Sequence, residues 1–339
     1  MITNVRVGRT LLSVLLAGAT VWAGVAQAAV TLRMGSEEPF GKPPRVAAQY
    51  GMDWLAENAG PRTDGQVRVR VSGNATLGPE KELLKSVASG VIDACVASPG
   101  NAAALVPEVQ LFSASYLFEG FDHAMRVLES DAFFERLRQL VEDRKLGMQL
   151  AAVSLTGSRN LYNRVRKVDE LKDLGGMKMR VMNSPTESRV WSALGTLPAS
   201  VPAPEIYSAL QSGVVDAGES SITAIVASKY YEVAPNISLT HHQFNLMFYF
   251  IGDRALAKVP EGSRAALLAA FREAGMVQAR AAVDLQERSL KFLRERPKVS
   301  ITEPDLAPFR ERLRPMQDEL AADLKVEDLL KVIRDAEGS

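Results

Sequence analysis

Three histidines, one cysteine and forty acidic side chains are the groups in this sequence able to transfer protons, attack a carbonyl or hold a metal. Each of those chemistries needs its groups at particular spacings. His123, His241 and His242 fall in no H-E-x-x-H run, and a single cysteine excludes Cys-based zinc sites. No G-x-S-x-G elbow, P-loop or G-x-G-x-x-G turn occurs. Cys95 sits in the apolar run 91–97 and reads as a small buried side chain on a core strand. The expectation is therefore a protein that is not an enzyme and uses neither cofactor nor metal. Forty acids still allow a carboxylate pair drawn from distant positions, so a periplasmic enzyme stands as an alternative.

Recognition is the other chemistry on offer. Residues 177–182 alternate in the manner of a half-buried strand and carry Arg180. A guanidinium presents a planar pair of N–H donors that matches the two oxygens of a carboxylate. On pattern alone Arg180 is also what the solvated face of an alternating strand would carry. Arg159 follows a strand and a glycine turn, where a side chain reaches the lip of an α/β cleft or pairs with a surface acid.

The elements that must hold these groups alternate along the chain. Residues 31–35 read as strand, 45–58 as helix, and 66–72 as a strand with Val67, Val69 and Val71 on one face. Then come helix 83–88, buried strand 91–97 and helix 124–141. The pattern restarts after Gly147 with strand 148–154, strand 177–182, helices 187–194 and 205–212, and strand 214–218. Such alternation predicts an α/β fold with a largely parallel sheet, in two units. From residue 264 to about 296 no proline occurs, and Leu267, Phe271, Ala274, Val277, Ala281 and Leu285 recur at helical spacing. One long helix is expected there, able to brace two lobes or to pack along one.

Composition bounds the rest. The 339 residues are 47% hydrophobic and 24% charged, enough for about two domains with real cores. Forty basic residues balance the acids, and no basic footprint speaks for nucleic acid. Residues 1–28 differ from the remainder: Arg6 and Arg9 precede an apolar run that ends Ala26-Gln27-Ala28. That is the form of a secretory leader cleaved after about Ala28, since a spanning helix needs about 20 apolar residues. One cysteine permits no intramolecular disulfide, which with export fits a periplasm.

Residues 154–221 carry Thr156-Gly157-Ser158-Arg159, then the run 169–181 from Asp169-Glu170-Leu171 to Met179-Arg180-Val181, then 205–216 from Glu205-Ile206-Tyr207 to Val215-Asp216. In that order these pieces resemble the solute-binding proteins of tripartite ATP-independent periplasmic (TRAP) transporters, the DctP family. Leu77-Gly78-Pro79-Glu80, residues 89–93 and 107–118 extend the resemblance over nearly the whole chain beyond the leader. It implies a two-lobed periplasmic binding protein, each lobe a sheet flanked by helices, with a long helix bracing both. Lobe I would span 29–156 plus about 246–285, and lobe II 157–245 plus about 286–339. A small organic anion would bind between them and pass to TRAP membrane permease subunits, the receptor being a monomer; a solute sensor for a signalling partner is a further alternative. Dicarboxylates, sugar acids and hydroxy or keto acids all satisfy the resemblance.

The resemblance also assigns residues. Arg180 matches the arginine that clamps the ligand carboxylate, and Arg159 becomes a second anion contact. Ser220 stands where an asparagine often bonds the carboxylate, after an Ala217-Gly218-Glu219 sequence that departs from the usual one. Asn183, Glu219 and His242 complete that side, with His242 equally suited to a structural hydrogen bond. Glu37 and Asn74 lie near where the first lobe faces the cleft; an inward Glu37 would favour a hydroxyl or amino group over a second carboxylate. Val201-Pro202-Ala203-Pro204 replaces a usual aromatic wall.

Overall fold

The computed structural model describes residue 1 and residues 29–182, 185–202 and 205–336. The leader and its cleavage point, Asn183, and the Ala203-Pro204 wall lie outside the described residues.

Among the described residues nine strands form one sheet: β1 (Val30–Gly35), β2 (Val67–Ser72), β3 (Ala94–Ala97), β4 (Met148–Asn163), β5 (Lys178–Val181), β6 (Leu197–Ser200), β7 (Ala217–Ser221), β8 (Asn236–Gly252) and β9 (Ser300–Thr302). Their order is β2-β1-β3-β8-β4-β7-β5-β6, with β9 on β8. The sheet is mixed, not largely parallel. β1 pairs β2 and β3 in parallel, and β5 pairs β6 and β7 likewise, but β4 and β8 run antiparallel to each other and to their other main partners, β7 and β3. These two strands, 16 and 17 residues long, each traverse both halves of the sheet, so one must return against the other. The strand expected at 148–154 runs on to Asn163. Gly157, at φ +126°, takes a conformation that side-chain-bearing residues rarely adopt and so lets the chain pass a bulge between Leu155 and Ser158 without ending the strand.

Two other elements differ from the sequence expectation. Helix 124–141 is two helices, Phe121–Glu129 and Asp131–Asp143, because the hydroxyl of Ser130 accepts from the Phe133 amide at 3.3 Å and opens the second. Strand 214–218 becomes β7, which puts Glu219 and Ser220 inside the sheet.

Two apolar clusters support each half. Phe133, Phe248 and Phe250 anchor one, and Leu32, Met34 and Phe271 another, on the β1 side. Met179, Trp191 and Phe309, then Ile237, Leu239 and Leu293, anchor the β5 side. Full burial of each such side chain is worth about 1.5–3 kcal/mol. Helix Glu261–Arg294, about 50 Å long, gives Leu267 and Phe271 to the first side and Leu293 to the second, and so braces both. Leu329, Leu330 and Ile333 of the last helix, Glu327–Asp335, pack in the Phe133 cluster. The chain end assigned to lobe II therefore returns to the β1 side, because its apolar face is buried there. Cys95 is fully buried on β3, and burial pushes its thiol pKa up. Among the described residues no helix is long and apolar enough to cross a membrane.

Candidate functional site

Arg159 emerges from β4 just beyond the bulge, opposite β7. Its Nε and Nη2 both donate to the carboxylate of Glu219, and Nη2 also reaches the Glu219 carbonyl at 3.3 Å. Gly218, the residue before Glu219, faces the Tyr162 phenol ring where a Cβ would go, so the ring can lie close against β7. His242 of β8 completes the group: Nε2 lies 3.4 Å from Glu219 Oε2, and Nδ1 lies 2.9 Å from the Thr240 hydroxyl. Trp191 meets the ring edge-on at 5.1 Å.

Burial alone would raise the Glu219 carboxyl; Arg159 and His242 more than offset it and hold the group well below the ordinary carboxylate range. Burial also lowers the His242 pKa, against the pull of Glu219. A neutral imidazole that donates through Nε2 to Glu219 and accepts at Nδ1 from Thr240 satisfies both contacts. Next along β8, His241 takes φ +41° and sets Nδ1 2.7 Å from the Ser158 hydroxyl; burial pushes its pKa down to about 4.

Arg180 of β5 is only 6% exposed and forms no ion pair with a described residue. Its Nε donates to the Val201 carbonyl at 2.9 Å. Glu187, in helix Pro185–Ala193, sits under the influence of both arginines. Burial and the Glu219 charge raise its pKa to about 7, against the lowering effect of Arg159 and Arg180.

Two adjoining cavities of about 300 and 320 Å³ open in front of this group. Glu38, Thr156, Arg159 and Asn245 line both. The first also has Glu80 and Ser98 on the β1 side and Met182 and Glu187 on the β5 side; the second has Ser220 and Thr223. This is the size range in which proteins enclose small molecules.

The structure brings Arg159, Glu219 and His242 into one largely buried unit and puts Ser220 at the second cavity, with Glu219 serving as counter-ion to Arg159 and not as a contact open to ligand. Arg180 is not among the residues lining either cavity. Glu37 and Asn74 do other work. Glu37 is exposed, and its Oε2 accepts from the Glu80 amide at 2.9 Å, satisfying an orphan donor at the start of helix Glu80–Ser89. Asn74, at φ +57°, accepts from the Phe40 amide at 3.0 Å and pins the loop after β1. The acid that faces the cavities from that loop is Glu38, and sequence reasoning passed over it, as it did Glu80 and Glu187. The available signals were the Glu37-Glu38 pair and an acid at a helix start. Glu80 Oε2 is taken by the Ser98 amide and hydroxyl at 2.9 and 2.6 Å and by Asn101 Nδ2 at 2.6 Å. Among the described residues, no group of three or more His, Cys, Asp or Glu side chains is placed to hold a metal ion.

The family model of the bacterial extracellular solute-binding proteins, family 7 (DctP), matches residues 47–323. The 2,3-diketo-L-gulonate-binding periplasmic protein YiaO of Escherichia coli is 27% identical over 320 residues, 94% of this chain and 95% of its own. The uncharacterized protein y4mM of Sinorhizobium fredii is 33% identical over 284 residues, 84% of this chain, and the chain spans only 51% of that relative's length. Among solved structures, a TRAP periplasmic solute-binding protein of Ochrobactrum anthropi superimposes with a TM-score of 0.83 at 24% identity, over 91% of this chain and 96% of its own. A Sulfitobacter protein with bound α-D-taluronate does so with a TM-score of 0.74 at 28% identity, over 90% and 97%.

Proposed function

Since the chain belongs to family 7 of the bacterial extracellular solute-binding proteins, the DctP family, we propose that it is the solute receptor of a TRAP transporter and closes on a small organic acid. The observation that carries this is the double cavity: its walls come from both halves of the sheet, and the largely buried Arg159 lines both parts of it. An anion that touches both walls binds the closed form better than the open one, and only that difference shifts the population. Catalysis has no part in such a cycle.

Arg180, buried and without an ion pair to a described residue, is the group assigned to the ligand carboxylate in this reading. Arg159 adds the one guanidinium nitrogen, Nη1, that makes no hydrogen bond to a described residue. Relatives with bound α-D-taluronate, D-glucuronate and galactonate support a sugar acid as the guest. Export with cleavage after about Ala28, a monomeric state in the periplasm and delivery to membrane permease subunits belong to the same proposal.

A thermal-shift screen of sugar acids, hydroxy acids, keto acids and dicarboxylates tests it, because a ligand that binds only the folded state adds RT ln(1 + [L]/Kd) of stability. Stabilisation by at least one acid, lost on amidation of its carboxylate, is expected, with the ligand recovered unchanged. Equal stabilisation by the amide would overturn the anion site, and conversion of the ligand would make the protein an enzyme.

A further inference from the structure

Glu38 occupies the junction of the two cavities, in the loop that leaves β1. Its carboxylate receives no hydrogen bond and no ion pair from a described residue. Its charged neighbours named by the field around it are Glu80 and Glu37, and both disfavour its ionisation, after burial itself. In the first cavity three acids, Glu38, Glu80 and Glu187, face one lining base, Arg159, whose charge Glu219 already balances. Arg45, exposed, adds a base only at the second cavity. Glu80 is satisfied on one oxygen by Ser98 and Asn101, whereas Glu38 has acceptors waiting and no donor offered by a described residue.

We propose that Glu38 sets ligand choice in this cleft: it accepts hydrogen bonds from the hydroxyl-bearing end of a monocarboxylate and rejects an acid whose far end is a second carboxylate. The proposal rests on the carboxylate-receptor reading above. A second ligand carboxylate beside Glu38 would join a surplus of negative charge in a low-dielectric gap, where like charges repel far more than in water. A hydroxyl there brings a donor and no charge. Acceptors spread over the β1 loop, helix Glu80–Ser89 and helix Pro185–Ala193 suit a chain of hydroxyls, which distributes donors along its length, better than a single ammonium, whose three donors radiate from one point.

D-galactonate and galactarate, which differ only in a terminal hydroxymethyl against a carboxylate, make the comparison by calorimetry on the full secreted chain. The expected result is at least about 100-fold preference for D-galactonate, equivalent to about 2.7 kcal/mol. In Glu38→Gln the gap narrows to less than about tenfold, chiefly because galactarate gains. Glu37→Gln, at the helix cap, keeps the wild-type gap. If another acid of the screen binds in place of D-galactonate, its own dicarboxylate counterpart completes the pair. Thermal melts check folding, and Glu38→Ser replaces Glu38→Gln if the latter does not melt cooperatively. Equal binding of both acids by the wild type, or an unchanged gap in the Glu38 variant, overturns the role of Glu38 and leaves the receptor reading intact. If no carboxylate binds any of these proteins, the receptor reading falls and this inference with it.

Discussion

Arg159, largely buried, and Arg180, buried, stand on strands separated only by β7, yet their surroundings are opposite. Arg159 holds an internal carboxylate with two nitrogens, backed by His242 and Trp191. Arg180 has a backbone carbonyl and the influence of Glu187, whose pKa burial raises to about 7. A buried charge with its own counter-ion is architecture, because its desolvation is already offset. One that has no ion pair to a described residue, and whose acidic neighbour is raised toward neutrality, is poised for an anion from outside.

Removing each arginine in turn breaks or sustains that contrast. Arg159→Ala leaves Glu219 charged and buried without its partner, and such a loss costs about 3–5 kcal/mol of stability. Urea titration should show it, and the double variant Arg159→Ala, Glu219→Ala should recover part of the loss through the coupling between contacting residues. Additive losses would mean that the pair is not the unit described here. Arg180→Ala should behave the other way. The unliganded protein keeps its melting temperature or gains a little, while affinity for the organic acid falls by about 2–5 kcal/mol, or some 30-fold to several thousand-fold. Unchanged calorimetric affinity would take Arg180 out of the site.

Two carboxyls sharpen the contrast through pH. Glu219, held down by its arginine, contributes stability above the unfolded pKa of 4.5 and loses it as pH falls further. Glu187, raised from 4.5 to about 7, does the reverse: the folded state binds the proton more tightly, so its contribution shrinks as pH rises from about 4.5 to about 7. His241, lowered to about 4, makes the fold lose stability as pH falls from 6.5 toward 4. Glu187 thus opposes His241 over much of the same window. Glu187→Gln should be more stable than the wild type at pH 8, and the advantage should shrink toward zero at pH 5 in denaturant titrations. An advantage independent of pH would show that Glu187 does not titrate near neutrality.

The legibility of these features followed their periodicity. β2 is a short strand with one buried face, and period-two alternation announces it; the same alternation announces β5, although Met179, Arg180 and Val181 are all buried there. β4 was cut short at Gly157 because a glycine reads as an end, whereas here it carries a bulge that aims Arg159. The Arg159–Glu219 pair joins residues 60 positions apart on antiparallel strands, and no local pattern encodes that register. Glu37 and Glu38 are adjacent, so their types alone could not say which one caps a helix and which faces the gap.

Ser220 marks the finest scale on which the two arginine environments differ. It lies one residue beyond Glu219 on the same strand, half-buried, with its backbone opposite Asn160, and lines the second cavity together with Thr223. A hydroxyl has one donor and a short reach, so toward a guest held by Arg180 it makes at most a single neutral hydrogen bond or one through water. Ser220→Ala should therefore lower affinity by about 0.5–1.5 kcal/mol, about two- to twelvefold, and leave the melting temperature of the empty protein unchanged. Ser220→Asn, with a longer side chain and two donors, should restore or exceed the original affinity. A Ser220→Ala loss comparable to that of Arg180→Ala would move the anion site from β5 to β7 and reverse the roles given to the two arginines.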